Sequence, residues 1–61
     1  MNLEDKIREA IQESNNSIDE YSQKINLIKD NPQQKSLLNT YLVNKQVEQA
    51  KVKLLRRLLN D

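Results

Sequence analysis

Cysteine and histidine are both absent from this chain, so it can form no disulfide and lacks the usual zinc ligands. Neither is there a thiol nucleophile or an imidazole base, and without glycine there is no glycine-rich loop to cradle a phosphate. Phenylalanine and tryptophan are missing too, which leaves Ile, Leu, Val, Tyr21 and Tyr41 as the large core-forming residues. A single proline, Pro32, interrupts 61 residues, so almost the whole chain is free of strong helix breakers. No apolar run approaches the roughly 20 residues of a membrane span. The opening "MNLEDKIREA" carries acids where a secretory leader needs a basic and then an apolar region. These absences exclude whole function classes from the sequence reading: no catalytic residues, no cofactor and no metal site are expected, and the expected location is cytoplasmic.

Shortness is itself a constraint. A chain of this size buries only about 60% of the surface its unfolded form exposes. Small folds compensate with disulfides, metals or association. The first two are excluded by composition, so association with another chain is the expected route.

What is present is helix pattern. In "KDNPQQK", Asn31 can cap a helix, Pro32 suits its first position, and Gln34 stands where a capping-box partner would. Pro32 also disfavours helical geometry at Asn31. The sequence thus predicts an all-α, two-helix antiparallel hairpin, one domain over 1–61, with helix 1 over about 3–29, a turn at 30–31 and helix 2 over about 32–59.

The first helix has one stripe. Ile11, Ile18 and Ile25 are seven apart, as are Ile7, Ser14, Tyr21 and Ile28. With Leu3 and Ala10 they fill about 100° of a helical wheel, the four-and-three spacing of a coiled-coil seam. Ser14 lies on that stripe, where a small residue allows close helix approach. The second helix has more apolar surface than one partner needs. Leu37, Tyr41, Val52, Leu55 and Leu59 form one stripe, and Val43, Val47, Ala50, Leu54 and Leu58 a second. With residue i opposite roughly residue 62 − i, Tyr21 meets Tyr41, Ile25 meets Leu37 and Ile7 meets Leu55, so the first stripe faces helix 1. The second stripe then faces outward, and an exposed apolar strip of that length reads as an interface. Its expected contacts are Val43, Val47, Ala50, Leu54 and Leu58, with Lys51 and Arg57 along the rim.

Charge is divided between the halves. Residues 1–31 carry seven acids and four bases, a net of −3, and residues 32–61 carry six bases and two acids, a net of +4. Each cluster suits its own helix dipole, and the hairpin is expected to set Glu4, Asp5 and Glu9 beside Lys51, Lys53, Arg56 and Arg57. Nearby acids weigh against a phosphate-binding face, and no aromatic platform for single strands accompanies it. A membrane-surface role for "KQVEQAKVKLLRRLLND" would require this helix to leave its partner, so neither nucleic acid nor membrane is the expected ligand. Acid pairs such as Glu9 and Glu13 read as solvated helix surface.

A short hairpin with Pro32, Gln33 and Gln34 at its turn and a leucine-rich second helix resembles the very small co-chaperones of type III secretion systems, the YscE and SsaE kind. That resemblance implies a cytosolic helical hairpin paired with a tetratricopeptide-like chaperone, the two together keeping the needle subunit from polymerising. It implies that the outward stripe of helix 2 grips that helical chaperone. The needle subunit is similar in having a proline-bearing turn before an amphipathic helix. Rop-like regulators also share the outline, as homodimeric four-helix bundles that bind RNA. The expected function is therefore a non-enzymatic protein-binding module, a co-chaperone or adaptor, with the Rop-like homodimer as the alternative.

Overall fold

The computed structural model describes residues 2–60 as an all-α hairpin: α1 (Leu3–Ile28), a single 3-10 turn (Pro32–Gln34) and α2 (Lys35–Asn60). Its dimensions are 46 × 17 × 12 Å, and its radius of gyration is 14.2 Å, against about 10.5 Å for a compact domain of this length. The molecule is a rod one helix pair thick.

The start of α1 is set by Asn2, whose backbone is extended and whose side chain accepts a hydrogen bond of 2.9 Å from the Asp5 N–H. Glu4 and Asp5 in the first turn suit the positive end of the helix dipole. At the other end, Lys29 N–H still donates to Ile25 (2.8 Å) and Asn31 N–H to Ile28 (2.9 Å). The helix ends at Ile28 with Lys29 as its C-cap, and after a turn at 29–30 the chain leaves helical geometry at Asn31, which precedes Pro32 (φ −102°, ψ 105°).

Asn31 then caps the next element, its side chain accepting from the Gln33 N–H at 3.0 Å. The reciprocal bond of a capping box is not made, because the Asn31 N–H is already used by Ile28. The residues after Pro32 form a tight 3-10 turn before the α-helical geometry of α2 begins at Lys35. No described residue has a positive φ. The chain reverses direction without a left-handed residue, which is how a sequence without glycine can form this turn.

The helices run antiparallel in the expected register. Tyr21 and Tyr41 meet with ring centroids 6.0 Å apart and planes tilted by 42°, inside the favourable range for aromatic pairs. The Lys24 ammonium stands over both rings, 5.8 Å and 5.5 Å from their centroids. Seven residues along α1, Ser14 faces Glu48, the same register of i opposite 62 − i.

The inner seam of α2 differs from the expected one. Leu37 is 39% exposed on the flank, while Leu38 is half-buried in its place. The half-buried and buried positions of α2 include Leu38, Tyr41, Lys45, Glu48, Val52, Leu55 and Leu59, an unbroken alternation of three and four. Lys45 and Glu48 occupy the middle of that seam opposite the serines of α1. The expected cross-helix pairing of Glu4, Asp5 and Glu9 with the basic end of α2 is also corrected. Each ion pair among the described residues lies within one helix: Arg8 with Glu4 (3.7 Å) and Asp5 (3.4 Å), and Lys51 with Glu48 (3.3 Å). Exposed pairs of this kind contribute at most about 1 kcal/mol.

Candidate protein-interaction face

Only two described residues are buried, Val52 at 6% and Ser14 at 3% exposure. The chain exposes 4930 Å², whereas a compact monomer of 7.2 kDa exposes about 4,100 Å². Part of that exposed surface forms a row. Val43 and Val47 (57% each), Leu54 (59%) and Leu58 (60%) are exposed along one face of α2, with Ala50, also exposed, midway. On a wheel of 100° per residue, the axis of this stripe lies roughly 150° from that of the inner seam, so the two faces are nearly opposite. With Leu37 counted inward, the sequence pattern places the two faces closer together.

Residues 43–58 span about 22 Å of helix at 1.5 Å per residue, roughly four turns. Spacings of four, three, four and four keep the side chains in one row, the form of half a helix–helix seam. Ala50 sits at the midpoint, where a small side chain lets a neighbouring backbone approach closely. Covering the four exposed aliphatic side chains is worth on the order of 5 kcal/mol. A 61-residue domain has a total stability of about 3–9 kcal/mol at the usual value per residue. The uncovered stripe is therefore comparable in energy with the whole fold.

The rim residues are both exposed. Lys51 bonds Glu48 at 3.3 Å, and Arg57 lies in the last turn of α2. Lys53, Arg56 and Arg57 make no ion pair with any described residue. Apolar side chains elsewhere on the surface do not form a second row: on the outer side of α1, Leu27 stands alone among polar neighbours.

Beside the seam lie two depressions. One, of about 520 Å³, is lined by Asn15, Ile18, Gln49, Val52, Lys53 and Arg56. The other, of about 160 Å³, is lined by Ala10, Glu13, Ser14, Ser17, Glu48 and Lys51. The second contains Glu48. The neighbouring Ser14 hydroxyl, with the Lys51 ammonium adding to it, holds the Glu48 carboxyl below the usual glutamate value, against the opposing effect of burial. This explains how a glutamate whose side chain is only 19% exposed sits at a seam position: the serine of α1 and the lysine one turn on satisfy it. The small residue expected to permit close approach at Ser14 is also a donor, a role the stripe pattern alone did not reveal.

No group of three or more His, Cys, Asp or Glu is placed to hold a metal, and no helix is long and apolar enough to cross a membrane, among the described residues. No family model, no curated protein and no solved structure matches the chain.

Proposed function

We propose that this hairpin is a non-enzymatic protein-binding module, a small cytoplasmic co-chaperone or adaptor whose α2 docks a helical partner through Val43, Val47, Ala50, Leu54 and Leu58. The type III secretion needle co-chaperones are the model for this reading. One observation carries it: a continuous aliphatic row on the face of α2 turned away from α1, each of its large members more than half exposed. A soluble hairpin gains nothing from such a row unless another surface covers it.

The test is the mass of the purified chain in solution, by light scattering across a concentration series, with circular dichroism on the same samples. The expected result is a monomer or an ill-defined, concentration-dependent mixture. Val47→Asp or Leu54→Asp should abolish association, with a partner or within that mixture, while the hairpin remains soluble. A stable helical dimer or tetramer would favour the second reading, a Rop-like homodimer binding RNA. The observation on that side is the set of Lys53, Arg56 and Arg57, without acidic partners among the described residues. RNA affinity through those groups would fall steeply with salt.

A further inference from the structure

The rim of the outer face, together with the stripe, specifies more than a generic helical partner. Among residues 35–60, Glu48 is the only acid, and it is turned into the seam, where Ser14 and Lys51 already engage it. Among the described residues, the outer face itself therefore carries bases and no carboxylate, Lys51 reaching back to Glu48 at the seam. By the wheel, Lys51 and Arg57 stand on opposite sides of the stripe, each about 60° from its axis, and Lys53 follows at about 100°. All three are confined to the second half of the row. Its first half is bordered by the uncharged Asn39, Thr40 and Gln46. The face is thus apolar along its whole length and basic at one end only.

A second copy of the chain does not complement this pattern. Two α2 helices packed in parallel set the Lys51 flank of one against the Lys53 and Arg57 flank of the other, so that like charges face each other. Packed antiparallel about Ala50, they set Arg57 over Val43 and Lys53 over Val47, and again supply no carboxylate. The acidic helix of a second copy, α1, has no apolar row left on its outer side, where Leu27 is isolated. What the face lacks is a helix with both features.

We infer that the occupant is an amphipathic helix of a different protein, lying antiparallel to α2, with carboxylates flanking its apolar row over its N-terminal half. The inference rests on the reading of the α2 outer face as an interface. Direction follows from helix electrostatics: acids stabilise helix starts and bases stabilise helix ends, so an antiparallel partner brings its own acidic start to the basic end of α2. Within this molecule α1 already has that form, with Glu4 and Asp5 in its first turn and an antiparallel course along the other side of α2.

The test uses two synthetic peptides of three heptads with blocked ends. Both carry Leu and Ile at the seam positions. One has Glu at the flanking positions of its first two heptads, and the other has Gln there. Each is titrated calorimetrically into the full chain at low and high salt. The expected result is that the Glu peptide binds at least about tenfold more tightly at low salt, an advantage that shrinks severalfold as salt screens the exposed charges. A Lys53→Glu/Arg57→Glu chain with unchanged circular dichroism should lose that preference. Equal affinity for the two peptides, with both lost in Val47→Asp, would overturn the acidic partner while leaving the interface in place. Binding of neither peptide would overturn the inference and the interface reading together.

Discussion

The two faces of α2 reverse the usual order. The inner face, packed on α1, includes Lys45 and Glu48 among its seam residues, whereas the stripe turned toward solvent is wholly aliphatic. In a self-sufficient hairpin the more hydrophobic face is the one buried. Here the better seam is the one still open, and the inner seam accepts a polar centre held by Ser14, Glu48 and Lys51. Polar seam residues set register and partner at a cost in stability. Under the proposed function, the difference makes α2 the shared middle helix of a larger assembly, with α1 fixing its register on one side and the aliphatic row open to a partner helix on the other.

The comparison can be broken most forcefully from the inside. Val52→Asp puts an unpaired charge at the most buried apolar position and is expected to cost about 3 kcal/mol or more, comparable to the stability of a chain this short. Circular dichroism should show loss of helicity at 25 °C, and a folded variant would mean that the inner seam is not the core. Tyr41→Ala removes one ring of the aromatic pair and the surface beneath Lys24, for an expected loss of about 2 kcal/mol in urea unfolding.

The polar centre gives smaller and more informative effects. Ser14→Leu combined with Glu48→Leu should raise the urea midpoint, since well-packed apolar residues commonly replace a buried polar set without loss. A fall would show that the polar contact is a principal hold on the hairpin. Acidity probes the same place. Glu48 titrates below its ordinary value when folded, so its contribution is complete at neutral pH, declines as pH falls through the ordinary glutamate range, and is gone below the folded value. The drop in urea midpoint between about pH 7 and about pH 3 should therefore be smaller in Glu48→Gln than in the natural sequence. An identical drop would remove Glu48 from the account of the seam. Smallest of all is the effect of Val47→Asp on the fold: at a position 57% exposed, a change in stability within about 0.5 kcal/mol is expected.

Much of this architecture was legible in the residues. The lack of glycine, the single Pro32 and the heptads of α1 give the two helices, and the 62 − i register brings Tyr21 to Tyr41 as found. The inner face of α2 was misread at Leu37 for a physical reason. Apolar residues alone do not reveal a period whose middle members are Lys45 and Glu48. A lysine can occupy a seam edge by laying its methylene stem along the core with its ammonium in water, and a glutamate can do so when donors meet it. Once those two are admitted, Leu38, Tyr41, Lys45, Glu48, Val52, Leu55 and Leu59 form one unbroken heptad series. The acid–base pairing expected between helices was also misplaced, because Arg8 lies within one turn of Glu4 and Asp5 and takes them locally. The outer stripe was the easier pattern, since no polar residue interrupts it.

The most direct test of the central claim is a methyl-resolved NMR titration of the isotopically labelled chain with the Glu-flanked peptide. The account predicts shift changes at Val43, Val47, Ala50, Leu54 and Leu58, while Val52, Leu55 and Leu59 keep their positions. Changes concentrated at Val52, Leu55 and Leu59 would mean that the added helix displaces α1 from the inner seam, and would contradict the assignment of the outer face as the interface.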